Sequence, residues 1–316
     1  MIPFDSISTR EAFGNALLQI AQENPRVVAI GADTTKSMGF QKFQDKYPDR
    51  VINIGIAEQN MTAVAAGLAA TGFQVYAASY APFSTLRAAE QVRTFIAYPN
   101  LDVKIVGGLA GLSGDIEGVT HQGLEDIAVM RSIPNMTVVV PADAASTEVI
   151  TKEIAKIKGP AYLRLGRGPV EKVFDAGYRF EIGKANTIKP DGSDVAIICC
   201  GAITGRALRA AQILASRGIG ARVAEMPCVK PLDTGVIAEL ACEVRAVATV
   251  EEHNIIGGLG SAVAEALGEL RPMPLIRIGI NDIFTESGPH GGLLDKYGFD
   301  PQDMAARIET FLLTVQ

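Results

Sequence analysis

Short apolar runs alternate with helix-period patterns along almost the whole of the 316-residue chain. This alternation predicts βαβ units, in which helices join parallel strands and cover the faces of a sheet. Strands are predicted at 27–31, 51–54, 75–78, 103–106, 137–140 and 161–165. Helices are predicted at 10–22, 57–70, 85–97, 123–131 and 144–156. We therefore expect the first half of the chain to form a doubly wound domain with a parallel sheet.

A polar, turn-rich segment interrupts the alternation at 173–194 and ends in Lys189-Pro190-Asp191-Gly192-Ser193-Asp194. Such a composition is typical of a linker. Beyond it the pattern resumes, with strands predicted at 195–200, 221–225, 246–250 and 275–280 and helices at 204–217, 233–241, 260–270 and 301–313. We expect two doubly wound α/β domains of unequal size, at 1–172 and 195–316, on either side of a linker at 173–194.

The charge and the cysteine content argue against several classes of partner. A net charge of −6 and a pI near 5.3 disfavour nucleic acid and membrane surfaces. The four cysteines have no metal-ligand spacing and only three histidines are present, so we expect no metal site in this chain. Neither a signal peptide nor a long apolar span is evident, and we expect a cytoplasmic location.

One carboxylate stands where a predicted strand gives way to a predicted helix. Glu58 lies in the segment Gly55-Ile56-Ala57-Glu58-Gln59-Asn60, directly after an apolar run. Open α/β sheets bind ligands at the carboxyl ends of their strands. A glutamate in a first helical turn also complements the helix dipole without any further role. The small, apolar neighbours of Glu58 favour partial desolvation of its carboxylate, and hence a functional role.

Polar and aromatic side chains follow two other predicted strands. Asp33 and Ser37 lie in the loop after the first strand, where such residues commonly form turns and helix caps. Tyr80 and Phe83 follow the third strand, where paired aromatic residues most often pack in a core. All four lie at the edge of the sheet that ligands use, so both interpretations stay open.

Charged residues also lie on the next helix and after the sixth strand. Arg87, Glu90 and Arg93 are spaced for a solvated ion-pair ladder along one helix face. Arg167 stands between two glycines, where its guanidinium is able to offer a fork to a phosphate. An isolated surface arginine is the simpler alternative for Arg167.

A long glycine-rich loop lies between the fourth strand and the next helix, at 107–122. It carries Asp115 and Glu117 and ends near His121, the first histidine of the chain. Loops of this length without structure of their own are usually functional or disordered. His121 is thus a candidate for substrate contact, with capping of the next helix as the alternative.

Four motifs, in this order, resemble the transketolase family. The resemblance is to the carboxyl-terminal half of a transketolase, which is a pyrimidine-binding domain followed by a smaller transketolase carboxyl-terminal α/β domain. It extends over essentially the whole chain, including Glu251-Glu252-His253-Asn254 in the second domain. The motifs are Gly-Ile-Ala-Glu-Gln-Asn, Tyr-Ala-Pro-Phe-Ser-Thr-Leu-Arg-Ala-Ala-Glu-Gln-Val-Arg, Glu-Gly-Val-Thr-His-Gln and Arg-Leu-Gly-Arg-Gly.

The resemblance implies a thiamin diphosphate cofactor and a role for Glu58 in catalysis. Glu58 is expected to pair with N1′ of the aminopyrimidine ring and to exchange a proton with it. Tyr80 and Phe83 are expected to form the aromatic pocket around that ring. Asp33 is expected to lie near the cofactor.

The resemblance also implies a site for a phosphorylated sugar. His121, the second expected catalytic residue, and Glu117 would contact the sugar hydroxyls. Arg167 and Ser37 would hold the phosphate at the far end of the sugar. The resemblance therefore implies transfer of a two-carbon ketol unit between sugar phosphates.

Several positions depart from the usual family pattern. The family's loop commonly reads Gly-Glu-Asp-Gly, whereas this chain has Asp115-Ile116-Glu117-Gly118. Leu109 or its neighbour stands where a histidine is common, and Ala89 where an aromatic residue is common. These changes put the usual ketopentose substrates in doubt and indicate an altered donor or acceptor.

The chain lacks the Gly-Asp-Gly motif through which these enzymes bind the diphosphate with a divalent cation. We therefore expect a separate amino-terminal transketolase subunit to hold the diphosphate and Mg²⁺ or Ca²⁺, in a heterotetramer. Three alternatives remain open: the corresponding half of a 1-deoxyxylulose-5-phosphate synthase, a 2-oxo-acid dehydrogenase E1 β-type subunit, and a non-catalytic regulatory paralogue.

Overall fold

The computed structural model describes residues 2–315, which contain two β-sheets with helices on their faces. In chain order the strands are β1 Val27–Gly31, β2 Val51–Asn53, β3 Gln74–Tyr80, β4 Val103–Gly108, β5 Thr137–Val139, β6 Ala161–Arg164, β7 Asn186–Lys189, β8 Val195–Cys199, β9 Ala221–Glu225, β10 Cys228–Lys230, β11 Ala246–Asn254 and β12 Leu275–Ile280. Each predicted strand overlaps one of these, while β7 and β10 have no predicted counterpart.

Both sheets are parallel except at one edge. The first has the order β10-β5-β6-β4-β3-β1-β2 and the second has the order β12-β11-β8-β9-β7. Strand β10 pairs antiparallel with β5, and β7 pairs antiparallel with β9. The prediction of two mainly parallel α/β domains is therefore confirmed, with an antiparallel edge strand added to each sheet.

The helices connect the strands in the expected alternation. They are α1 Thr9–Glu23, α2 Gln41–Lys46, α3 Glu58–Ala70, α4 Ala89–Gln91, α5 Asp126–Ser132, α6 Ala144–Lys156, α7 Thr204–Ser216, α8 Thr234–Glu243, α9 Leu259–Leu270, α10 His290–Leu294 and α11 Pro301–Thr314. Shorter 3₁₀ turns lie at Pro48–Arg50, Leu112–Glu117 and Gly201–Ile203, and π-helical turns at Phe83–Arg87, Val92–Ala97 and Asp295–Phe299. Side-chain caps fix several starts, as where Asp143 accepts from the Ser146 amide at α6.

Successive residues of β1 point to opposite faces of the first sheet, and both faces are covered. Val27 and Ala29 pack in a core formed with α1 and α6, whereas Val28 and Ile30 pack in a core formed with α3. All five residues of β1 are buried, as expected of a central strand. The first domain is thus doubly wound.

The two domains share packing. The core on the α3 side of the first sheet continues into the second domain through α8 and α9. The predicted linker at 173–194 contains β7, and β10 adds a strand from the second half of the chain to the first sheet. The division at 172 and 195 stays a prediction. Within residues 2–315, none of the helices is both long and apolar enough to span a bilayer.

Candidate active site

The loops that follow β1, β2, β3 and β4 lie together beyond the carboxyl ends of these strands, because the four strands are parallel neighbours in the first sheet. Asn53, the last residue of β2, ties two of these loops together. Its side-chain oxygen accepts from the amide of Asp33 at 2.9 Å and from the amide of Gly55 at 3.0 Å. Gly55 has a φ of +75°, which allows the tight turn that leads into α3. Glu58 is the first residue of that helix.

The carboxylate of Glu58 is buried and has a charged partner. Its side chain is 2% exposed. Nη1 of Arg87 donates to its Oε2 at 2.7 Å, and the Ser79 hydroxyl on β3 donates to its Oε1 at 3.4 Å. The expected desolvation of Glu58 is confirmed.

The predicted ion-pair ladder on the following helix is wrong. Arg87 pairs with Glu58 instead. Nη1 of Arg93 lies 3.5 Å from the hydroxyl of Thr94, and Glu90 accepts a hydrogen bond from the side-chain amide of Gln91. The helix starts with a π-helical turn at Phe83–Arg87, which changes the spacing that the ladder assumed.

Three rings form a half-buried cluster beside Glu58. The ring centroids of Tyr80 and Phe83 are 5.9 Å apart, and that of His121 lies 5.7 Å from Tyr80 and 5.1 Å from Phe83. The Phe83 and His121 rings meet edge to face at 73°. The glycine-rich loop therefore brings His121 to the aromatic pair, so these three rings share one pocket wall.

Ser37 and Asp33 lie in the loop after β1, and Ser37 contacts Tyr80. The Tyr80 hydroxyl donates to the Ser37 hydroxyl at 3.4 Å. Asp33 is exposed and has a φ of +60°. Its Oδ1 accepts from the side-chain amide nitrogen of Asn53 at 3.2 Å. Both residues line a cleft of about 630 Å³ with Arg10 and Lys36. The lining also includes Lys42 and Glu11, so three basic side chains stand against two acidic ones. This small excess of positive charge favours an anion.

Arg167 and Glu117 form an ion pair next to Arg10, which lines the cleft. Nη1 of Arg167 lies 3.2 Å from Oε1 of Glu117. Arg10 of α1 positions this pair, since its Nε and Nη2 donate to the Arg167 carbonyl at 3.2 Å and 2.7 Å and its Nη1 donates to the Ser37 carbonyl. Burial lowers the pKa of Arg10, and the Arg167 charge adds to this effect.

The second domain holds the glycine-rich loop in place. Oε1 of the buried Glu252 accepts from the Leu112 amide at 2.6 Å and from Nε2 of His290 at 2.9 Å. Gln122 donates to the Glu286 carbonyl at 3.0 Å, at the other end of the loop. Burial alone would lower the pKa of His290, but the Glu252 carboxylate outweighs it and raises that pKa.

A buried charge network underlies the same junction. Nε of Arg164, at the end of β6, donates to Oδ2 of Asp126 at 2.7 Å, and the Tyr162 hydroxyl donates to the same oxygen at 2.6 Å. Nη2 of Arg164 also donates to the carbonyls of Gly123 and Glu252 at 2.9 Å and 3.0 Å. Burial raises the pKa of Asp126, but the Arg164 guanidinium outweighs it, and the net shift is downward.

The structure thus brings the sequence-predicted residues into one connected region at the sheet edge. Four further residues support this region through their hydrogen bonds, and the sequence did not identify them for this role. They are Asn53, Ser79, Arg87 and Arg10. Asn53 has a signal in the sequence, because an asparagine that ends a strand before a glycine turn is a common side-chain acceptor. Arg10 has none, because its contacts depend on how α1 docks. Within residues 2–315, no cluster of three or more His, Cys, Asp and Glu side chains is arranged to hold a metal.

Two family models match nearly the whole chain. The transketolase pyrimidine-binding domain matches residues 5–172, and the transketolase C-terminal domain matches residues 183–304. The chain therefore belongs to the transketolase family, as its motifs indicated. Membership of this family implies dependence on thiamin diphosphate.

The most similar proteins include subunits of split transketolases. The putative transketolase C-terminal section of Methanocaldococcus jannaschii is 42% identical over 95% of this chain and 94% of that protein. The 6-deoxy-6-sulfo-D-fructose transketolase subunit SqwH of Clostridium sp. is 39% identical over 93% of this chain and 91% of that protein. A solved structure described as a split gene transketolase, inactive beta4 tetramer, is 46% identical with a TM-score of 0.91, over 98% of this chain and 100% of its own.

The residues present fit the pyrimidine end of this cofactor. An aminopyrimidine needs a hydrogen-bonding partner at a ring nitrogen and an apolar surface to stack on. Glu58 is a buried carboxylate and Phe83 is a half-buried ring close to it, with Arg87 in contact with both. These side chains would contact the pyrimidine ring of the cofactor.

Proposed function

We propose that this chain is the carboxyl-terminal subunit of a two-subunit, thiamin-diphosphate-dependent transketolase. It would transfer a two-carbon ketol unit between sugar phosphates. The observation that carries the proposal is Glu58, a carboxylate 2% exposed at the carboxyl edge of a parallel sheet and next to an aromatic cluster.

In this proposal Glu58 exchanges a proton with N1′ of the aminopyrimidine. Its burial favours a short contact, because the carboxylate has few competing water molecules. Tyr80 and Phe83 orient the ring by stacking, and Asp33 lies in the neighbouring loop. When bound, thiamin diphosphate supplies the carbon nucleophile that cleaves and re-forms the carbon–carbon bond.

The substrate side of the proposed site lies between the aromatic cluster and the cleft lined by Arg10, Lys36 and Ser37. His121 and Glu117 would contact sugar hydroxyls, with His121 acting as a second catalytic residue. Arg167 and Ser37 would bind the phosphate. The Arg167–Glu117 pair supports this placement, because it sets a cation and a hydrogen-bond acceptor 3.2 Å apart.

The proposed partner is an amino-terminal transketolase subunit that carries Gly-Asp-Gly and binds the diphosphate with Mg²⁺ or Ca²⁺. Two observations support it: this sequence has no Gly-Asp-Gly, and relatives of the same length are described as sections or subunits. We propose a heterotetramer of two copies of each subunit, in the cytoplasm.

The test is co-expression with the amino-terminal subunit, followed by a screen of ketose phosphate donors against aldehyde acceptors. Glu58→Gln is expected to lower kcat by about 10²–10⁴-fold, the usual contribution of a positioned acid or base. Circular dichroism of this variant should match the wild type.

Glu90→Gln is the matched control. It makes the same change on an exposed acid of the next helix and is expected to retain full activity. Near-normal turnover by Glu58→Gln would contradict the proposed mechanism, and activity of the chain without any partner would contradict the two-subunit assembly.

A further inference from the structure

Arg87 contacts both groups that a pyrimidine ring would need. Its Nη1 lies 2.7 Å from Oε2 of Glu58, and its guanidinium carbon lies 4.2 Å from the centroid of the Phe83 ring. Among the residues that the structure describes, the remaining carboxylate oxygen of Glu58 accepts only a long bond of 3.4 Å, from the Ser79 hydroxyl. The short contact and the ring face are therefore both occupied by one side chain.

A guanidinium and an aminopyrimidine make similar contacts. Each is planar, forms hydrogen bonds in its plane and stacks on an aromatic face. One carboxylate oxygen and one ring face cannot serve both groups at once, because the two would overlap. Arg87 thus makes, on the same two side chains, both kinds of contact that the ring would make.

We propose that Arg87 is a positioning residue that holds Glu58 and Phe83 in place before the pyrimidine enters and swings outward when it does. This inference rests on the proposed function of Glu58. It assigns Arg87 a competing role at the cofactor site, so that part of the cofactor's binding energy is spent on releasing this side chain.

Arg87 is free enough to make that movement. Its side chain is 47% exposed, so the released guanidinium would enter water. Among residues 2–315, the guanidinium of Arg87 has no hydrogen bond other than the one to Glu58. It stands at the end of the π-helical turn Phe83–Arg87, and such turns are frequent at functional sites.

The experiment compares Arg87→Met with wild type in the assembled two-subunit enzyme. Thiamin diphosphate is titrated in the presence of Mg²⁺ by calorimetry. We expect roughly three- to tenfold tighter binding by the variant, because one ion pair and one cation–π contact no longer have to be broken. Arg93→Met is the control and is expected to bind as wild type. Arg93 lies on the same helix, its Nη1 is 3.5 Å from the Thr94 hydroxyl, and it forms no ion pair within residues 2–315.

A second readout uses this chain alone, without cofactor. Arg87→Met is expected to lower its midpoint of thermal unfolding, because the buried Glu58 carboxylate loses its partner, whereas Arg93→Met is expected to leave it unchanged. If Arg87→Met fails to fold, Arg87→Lys replaces it in the titration. Lysine keeps the charge but has no planar group to stack, and tighter binding than wild type is again expected.

Unchanged or weaker cofactor binding by the Arg87 variant would overturn the inference while leaving the role of Glu58 intact. The proposed function fails on different results. These are a wild-type complex that binds no thiamin diphosphate, or full turnover by Glu58→Gln.

Discussion

Loss of Arg164 is expected to give a large stability defect, because it would leave a carboxylate buried without its charge partner. The side chains of Arg164 and Asp126 are 7% and 0% exposed and 2.7 Å apart. Within the described part of the chain, Arg164→Met leaves the Asp126 carboxylate with one hydrogen bond, from the Tyr162 hydroxyl. It also removes the donor that the carbonyls of Gly123 and Glu252 share.

The magnitude follows from burial. Removing one partner of a buried ion pair costs about 3–5 kcal/mol, most of it from the stranded charge. We expect Arg164→Met to lower the free energy of unfolding by that amount. Adding Asp126→Asn removes the stranded charge and keeps an oxygen that accepts from Tyr162, so the double variant should lose only about 1–3 kcal/mol.

Denaturant unfolding of the chain, followed by far-ultraviolet circular dichroism, measures these differences, since the sequence has no tryptophan to report them by fluorescence. Arg179→Met makes the same substitution at an exposed position and should stay within about 0.5 kcal/mol of wild type. The reasoning would be refuted by a loss below about 1 kcal/mol for Arg164→Met, as for a solvated pair. A double variant no more stable than Arg164→Met would refute it equally.

Two further predictions concern pH. Burial raises the pKa of Glu225 to about 8, so the folded chain holds this proton more tightly than the unfolded chain and loses stability as the pH rises from near 4.5 toward that value. Glu225→Gln should flatten this fall in thermal unfolding curves, and an unchanged slope would contradict the assignment. The raised pKa of His290 beside Glu252 gives stability that is complete below its ordinary pKa of 6.5 and is lost as the pH rises through the raised value. His290→Gln should therefore be less stable than wild type at about pH 6 and equal to it at about pH 9, and equal losses at both would count against the charge pair.

The strands that the sequence failed to reveal are both short and antiparallel. Asn186–Lys189 and Cys228–Lys230 have four and three residues, too few to establish a period. Their positions depend on partners that are distant in sequence, since β10 pairs with Val138 and Val139 of β5. By contrast, the predicted strands at 27–31 and 221–225 have five residues each, and their bounds are those of β1 and β9.

The same distinction separates the predictable and the unpredictable parts of the site. The position and burial of Glu58 follow from its neighbours, because the strand end, the turn and the helix start are all local. Its pairing with Arg87 does not, because that contact joins residues 29 positions apart and needs a π-helical turn to aim the side chain. Charge spacing alone predicted a solvated ladder, which assumes a regular α-helix.

The second domain holds the glycine-rich loop on which His121 lies. The loop leaves β4 through Leu109, a buried residue with a φ of +53°. A positive φ costs free energy in any residue other than glycine, and it persists only where surrounding contacts impose it. Glu252 supplies such a contact by accepting from the Leu112 amide, and it is itself held by His290. Loss of this carboxylate would therefore remove a contact that holds the loop on which His121 lies.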